Sequence, residues 1–277
     1  MTAEARADRI TRVGLAGFGA VGQRVAVAVE QTLPDLTLGA ITSGDLDKAR
    51  ARAQALLRIV PPVVPLPEAV TLSDIIVEAA PALAFREIAS AVLGARKALL
   101  VLSVGALLDG YDAYARIARQ HDARIYVASG AIGGLDAIAA AAEGEIEAVI
   151  MTTRKPPRAL AGAPYLQEHG IDVMTLRDPQ VIFEGSAREA CRGFPANVNV
   201  SAAVSLAGIG PDRTRVRIIA DPTLTRNMHD VEVTGDFGRF AVHIENAPSE
   251  NPRTGILTAQ SVVALLRKLA APVRVGT

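Results

Sequence analysis

Residues 13–22 read Val-Gly-Leu-Ala-Gly-Phe-Gly-Ala-Val-Gly, and this stretch decides the fold. An apolar run (Val13, Leu15, Ala16) leads straight into Gly17-Phe18-Gly19-Ala20-Val21-Gly22, the spacing G-x-G-x-x-G. A helical pattern begins at once and runs over residues 20–30. Gly17 permits the tight strand-to-helix turn, Gly19 lets backbone approach a pyrophosphate, and Gly22 lets helix and strand pack closely. The helix N-terminus then offers free N–H groups and the positive end of its dipole to an anion. Glycine-rich turns also serve plain packing, so the motif draws its weight from the strand before it and the helix after it. Dinucleotide contacts are therefore expected at Gly17, Gly19, Ala20, Val21 and Gly22.

Working outward, short apolar runs alternate with helical stretches from residue 11 to about 129. Residues 36–41 form a second strand, and Asp45 and Asp47 open a helix rich in alanine and arginine that reaches about Arg58. A proline-rich passage, 61–67, reads as holding a short strand at Val63 and Val64. Residues 74–80 (DIIVEAA) read as a buried strand, with Pro81 at the first turn of a helix over 82–95. Residues 98–104 give another strand, 109–120 a helix and 124–128 a last strand. Near-continuous apolar strands separated by helices imply a parallel sheet covered on both faces, with its ligand at the carboxyl ends of the strands. The small residues at two of those ends, Glu78-Ala79-Ala80-Pro81 and Ser103-Val104-Gly105-Ala106, leave room for a ribose and nicotinamide or make plain tight turns. Ala80 is the cofactor candidate there.

Ser129-Gly130-Ala131-Ile132-Gly133-Gly134-Leu135-Asp136 reads as the hand-over to a second domain. Beyond about 145 the pattern changes. Residues 145–153 alternate as a half-buried strand, followed by Arg154-Lys155-Pro156-Pro157-Arg158. Residues 161–179 read as a long polar loop, 180–185 as a short extended segment and 186–192 as a helix. FPANVNV (194–200) enters an apolar helical run to about Ile209. Strands follow at 214–220, 229–234 and 239–245, so an antiparallel or mixed sheet with one face covered by helices is expected. The amphipathic stretch 254–269 is a helix that needs a surface to bury its apolar face, and a return to the first domain provides one. The fold expected is α/β: a Rossmann-type doubly wound parallel sheet (1–129 plus about 253–277) and an α+β second domain (130–252) with a mixed or antiparallel sheet.

Composition narrows the classes. Of 277 residues, 50% are hydrophobic and 21% charged, enough for a substantial core. Formal net charge is zero, which removes any electrostatic case for nucleic acid or an anionic membrane as partner. The start, MTAEARADRITR, lacks the apolar region of a signal peptide. A single cysteine, Cys191, excludes an internal disulfide and a multi-cysteine zinc site, and no metal-ligand cluster is visible. The composition reads as a soluble cytoplasmic protein.

Of the four histidines, His121 sits at a helix C-terminus, His169 in the polar loop, and His243 in phase with Arg239, Ala241 and Glu245. His229 differs, because it is in phase with Val231 and Val233 while Asp230 and Glu232 face away. From its pattern alone it is either a packed core imidazole or a catalytic base. Arg154, Lys155 and Arg158 make either a clamp for substrate carboxylates or a solvated charge run.

Together GFGAVG, SGAIGGLD (129–136), RKPP (154–157), VIFEGSA (181–187), FPANVNV (194–200), IADP with NMH (219–229) and ENAPSENP (245–252) resemble the L-aspartate dehydrogenase family over essentially the whole chain. The resemblance implies reversible oxidative deamination of L-aspartate to iminoaspartate with NAD or NADP. Released, the imine hydrolyses to oxaloacetate and ammonia; captured by quinolinate synthase, it feeds NAD biosynthesis. It also implies His229 as the catalytic histidine, and Ala131 with Asn197 (Asn199 as second choice) as cofactor contacts. A homodimer or higher homo-oligomer is the expected assembly. Another two-domain Rossmann reductase and a dinucleotide-binding sensor without turnover are the competing readings.

One departure concerns coenzyme choice. Enzymes that prefer NAD usually carry an acid at the end of the second strand. Here Ile41-Thr42-Ser43-Gly44 stands there, with no carboxylate before Asp45. Thr42 and Ser43 can donate to phosphate oxygens, and Lys48 and Arg50 are expected to add positive charge, so use of both coenzymes is expected.

Overall fold

A computed structural model describes residues 11–195, 199–247 and 256–276. The chain divides into two compact units, Met1–Ala128 with Ala259–Val275, and Ser129–Thr258 with Gly276–Thr277.

Among the described residues the first unit contains five parallel strands: β1 (Arg12–Ala16), β2 (Thr37–Thr42), β3 (Ile75–Glu78), β4 (Ala98–Val101) and β5 (Ile125–Val127). Their order in the sheet is β2-β1-β3-β4-β5, and every neighbouring pair is parallel. All four residues of β3 are buried, which requires cover on both faces. One face carries Val13, Leu15, Ile75, Val77 and Leu100. Onto it pack α1 (Ala20–Thr32) through Val25 and Val29, and α2 (Leu46–Leu56) through Ala49 and Ala53. Asp45 caps α2 by accepting the Lys48 N–H at 2.9 Å.

Three local expectations for this unit are corrected. Val63 makes only an isolated bridge to Ile41, because the prolines around it have no N–H with which to extend a ladder. The passage instead yields a helix, α3 (Leu66–Thr71), opened by Pro67 in its first turn. The helix expected over 82–95 begins as a single 3-10 turn, Ala82–Ala84, before α4 (Phe85–Gly94). Residues 104–120 form two helices, α5 (Val104–Asp109) and α6 (Tyr111–Gln120), divided at Gly110.

The second unit begins with α7 (Leu135–Ala141) and the long strand β6 (Ile146–Lys155). After α8 (Pro157–Leu160) and α9 (Pro164–Glu168) come β7 (Gln180–Ser186), α10 (Ala187–Gly193) and α11 (Asn199–Ala207). β8 (Arg215–Ala220), β9 (Met228–Gly235) and β10 (Gly238–Glu245) complete a mixed sheet of order β10-β9-β6-β8-β7. β6 pairs parallel with β8 and antiparallel with β9. Val149, Met151, Val231 and Val233 bury one face against Ile138 of α7 and Val204 of α11. On the other face Ile150, Arg154 and Glu232 are exposed, the alternation that a sheet covered on one side demands.

The expected loop over 161–179 is also corrected. It holds α9 and a 3-10 turn, Val173–Thr175, and it buries Ala163, Leu166 and Val173, beside Leu160 of α8, against Phe183 and Phe194. His169 is exposed, as expected of a solvated residue, and its ring stacks on Tyr165 with centroids 3.9 Å apart. Short helices opened by Pro157 and Pro164 carry too few turns for a helical period to show.

The last helix, α12 (Ile256–Ala270), places Val262 and Leu266 in the core of the first unit, beside Val13 and Val25. Leu266 is fully buried. Leu266→Ala is expected to cost about 2–5 kcal/mol of unfolding free energy, by lost transfer energy plus the cavity left behind. Denaturant unfolding followed by circular dichroism is the measurement, and a loss below about 1 kcal/mol would place α12 outside that core.

Candidate active site

In the first unit the glycine turn is built as a cradle. Gly17 has φ +103° and donates its N–H to the Thr42 carbonyl at 2.8 Å. A Cβ there would collide with the backbone of Ala79 and Ala80, and a Cβ at Gly22 would collide with the Gly17 carbonyl. Gly19 is exposed and has open space around its Cβ position. It is also the N-cap of α1, whose first turn holds no acid and whose cap makes no side-chain hydrogen bond. Ala20 and Val21 follow at the same end of α1. The result is a crowded turn with an open, uncapped helix end, which fits a dinucleotide pyrophosphate.

Around the end of β2, Thr42 is buried, while Ser43 Oγ accepts the Asp45 N–H at 3.4 Å. The Asp45 carboxylate is turned to its capping bond with Lys48 N. Arg50 bonds the Asp47 carboxylate at 2.8 Å and the Val63 carbonyl at 3.2 Å. Another cation, missed in the sequence, reaches the glycine turn: Arg52 donates to the Phe18 carbonyl at 3.4 Å. Arg52 lies one turn beyond Lys48 and two turns beyond the Asp45 cap, on the exposed side of α2, and that spacing from the end of β2 is the signal that could have found it.

The second unit gathers its chemistry at one end of its sheet. His229 is 2% exposed, and its Nδ1 shares a 3.1 Å hydrogen bond with Thr153 Oγ1. The two residues are directly opposed in the β6–β9 ladder. Lys155 lies two residues further along β6 on the same face, and it is 4% exposed. Burial pushes its ammonium down to about 8. Burial first, and the Lys155 charge second, push the His229 imidazole down to about 3, so it is neutral across the physiological range. Asp221 donates its backbone N–H to the Lys155 carbonyl at 2.8 Å, and its buried carboxylate accepts from Thr223 N and Oγ1 at 2.9 and 2.6 Å.

Asn246 holds two turns beside this cluster. Its side-chain amide donates to the Ala131 carbonyl at 3.2 Å, and its backbone N–H to the Asn227 carbonyl at 2.9 Å. The Ala131 loop and the turn that leads into His229 are thus pinned by one residue.

The cations do not form the expected three-pronged clamp. Arg154 points to the exposed face of β6 and Arg158 is exposed on α8, so Lys155 alone joins His229. Strand alternation is the cause: adjacent residues of β6 must face opposite ways. Asn197 lies outside the described residues, and Asn199 opens α11 as an exposed residue. Thr153 and Asn246 were not singled out as site residues; Thr153 is in phase with Met151 and Lys155, which is the pattern that identifies it. The Asp230 and Glu245 carboxylates bond exposed His243 and hold its imidazole above its usual value, far from the behaviour of His229. Among the described residues there is no group of three or more His, Cys, Asp or Glu side chains that could hold a metal, and no helix long and apolar enough to cross a membrane.

A parallel sheet with this glycine cradle, followed by a mixed sheet bearing a buried imidazole and ammonium, defines a dinucleotide-dependent oxidoreductase. The profile described as homoserine dehydrogenase, NAD binding domain, matches residues 17–128, and that described as aspartate dehydrogenase, C-terminal, matches 136–269. The L-aspartate dehydrogenase of Bradyrhizobium diazoefficiens is 50% identical over 96% of this chain and 94% of its own length. That of Methanosarcina mazei is 42% identical over 96% and 99%. The crystal structure of aspartate dehydrogenase from Thermotoga maritima superposes with a TM-score of 0.69 at 26% identity, covering 97% of this chain and all of that one. The chain belongs to the L-aspartate dehydrogenase family.

A buried ammonium costs stability, so Lys155→Met is expected to raise the unfolding free energy at neutral pH by up to about 3 kcal/mol. The sign follows from the lowered pKa: the folded state binds fewer protons between about 8 and 10.5, so wild-type stability rises as pH climbs through that window. The substitution should flatten that rise, abolish most activity and raise the His229 pKa, readable by NMR. A destabilised variant with an unmoved His229 pKa would contradict this account.

Proposed function

We propose that this protein is an NAD(P)-dependent L-aspartate dehydrogenase that works through His229, with the first unit holding the coenzyme and the second the substrate. The observation that carries the reading is a neutral, buried imidazole beside a buried ammonium on a chain of this family. Oxidising the Cα of aspartate needs a base for the substrate ammonium and a cation for its carboxylates. Neutral His229 takes the ammonium proton, and Thr153 holds Nδ1 so that Nε2 is the nitrogen left for the substrate. Lys155 receives a carboxylate as a compact point charge. A dicarboxylate arriving beside the pair raises both pKa values by its own charge, which strengthens His229 as a base when substrate is present. When bound, the nicotinamide supplies the hydride acceptor for Cα. His229 then directs a water at the iminium carbon, and oxaloacetate and ammonium are released.

Gly17, Gly19, Ala20, Val21 and Gly22 would hold the pyrophosphate, with Ala80, Ala131 and Asn197 or Asn199 toward the nicotinamide half. A cytoplasmic location, a homodimer or larger homo-oligomer, and supply of iminoaspartate to NAD biosynthesis belong to the same reading.

The direct test is oxaloacetate plus ammonia with NADH and with NADPH, followed by nicotinamide absorbance. Loss of absorbance is expected with both; coenzyme binding without turnover would make the protein a sensor. His229→Ala is expected to lower kcat by ~10²–10⁴ with coenzyme affinity near wild type. A folded variant with normal turnover would return His229 to a packing role.

Coenzyme choice follows from the end of β2, where the nearest acid, Asp45, is spent on its cap. We expect NAD and NADP both to serve, with Arg52 the cation nearest the glycine turn. Ser43→Asp should shift kcat/KM toward NAD, chiefly by weakening NADP binding, and Arg52→Ala should weaken both coenzymes. A wild type that rejects NADP by about a thousandfold, roughly 4 kcal/mol, would defeat this account.

A further inference from the structure

Glu78 closes β3 and is fully buried. Its Oε2 accepts the backbone N–H groups of Leu102 at 3.2 Å and Ser103 at 2.8 Å, and its Oε1 accepts the Ser103 hydroxyl at 2.9 Å. Those donors lie in the turn between β4 and α5. The Ala80 backbone, two residues on, also faces the same carboxylate and favours its ionised form. One side chain therefore ties together the exits of two neighbouring strands.

The place of this tie is informative. The strand order β2-β1-β3-β4-β5 reverses direction between β1 and β3, and ligands of open parallel sheets sit at that switch, outside the carboxyl ends. Glu78 stands on its β3 side, and the next two residues, Ala79 and Ala80, crowd Gly17 of the glycine turn. A plug for an apolar core needs no charge. Burial opposes ionisation here and pushes the carboxyl up to about 7 against its hydrogen bonds.

We infer that Glu78 is a positioning residue for the coenzyme. It locks the β3 and β4 exits into one rim against which the nicotinamide half of the dinucleotide rests, acting through Ala80 and Ser103 rather than by touching the reacting atoms. This inference rests on the coenzyme reading above.

Two substitutions separate reach from charge. Glu78→Gln keeps the reach: its carbonyl can accept both N–H groups while its amide donates to the Ser103 hydroxyl. Glu78→Asp keeps the charge but is shorter by one methylene. Coenzyme dissociation constants come from NADH and NADPH fluorescence, with kinetics and melting temperature measured alongside. The glutamine variant is expected to bind coenzyme within ~3-fold of wild type and to melt at or above it. The aspartate variant is expected to bind ~10-fold or more weakly, with kcat at saturating coenzyme and KM for aspartate little changed. Wild-type affinity in the aspartate variant would overturn the inference, as would a glutamine variant as weak as the aspartate one. Should the aspartate variant not fold, Ser103→Ala carries the test, with ~3-fold weaker coenzyme expected and unchanged affinity overturning it. A wild type that binds neither coenzyme would refute the coenzyme reading itself.

Discussion

The antiparallel ladder between β6 and β9 sets Thr153 opposite His229, and the grouping of the second unit's buried polar side chains depends on that register. Side chains alternate along a strand, so a slip of one residue would send His229 to the exposed face and bring Asp230 inward. The same alternation carries Lys155 to the imidazole and turns Arg154 away. The apolar pairs Val149, Met151, Val231 and Val233 hold the register, because their burial against α7 and α11 would be lost by any slip. A hydrophobic pattern thus aligns polar groups that have no means of aligning themselves.

Among the buried ionisable groups, Lys155 ends a strand of the second sheet and Glu78 a strand of the first. Each is held against the cost of desolvation, and each sits at a strand end rather than in mid-strand.

Much of this was legible in the sequence because it depends on local pattern. The G-x-G-x-x-G turn, the buried strands, the phase of His229 and the motif blocks shared with the family are all short-range signals. The strand at Val63 was misread because burial in a proline-rich passage resembles a strand when only one bridge forms. The segment 161–179 reads as a loop because its helix and 3-10 turn are shorter than the period needed to reveal them, and its apolar residues pack on Phe183 and Phe194 outside the segment. The clamp of three cations failed for a different reason. Adjacency in sequence suggested a cluster, whereas the strand that contains Arg154 and Lys155 separates them by geometry. Thr153 and Arg52 become visible only when a residue is read by the face it shares.

The return of α12 to the first unit also sets an order of events during synthesis. Val262 and Leu266 complete a core whose other members lie between Val13 and Ala128, so the second unit is made in full before the first can close. A nascent chain emerging from the ribosome holds its glycine cradle on a sheet whose helical cover is incomplete until α12 has appeared. A chain cut short before α12 lacks the wedge that closes the core beneath the glycine cradle.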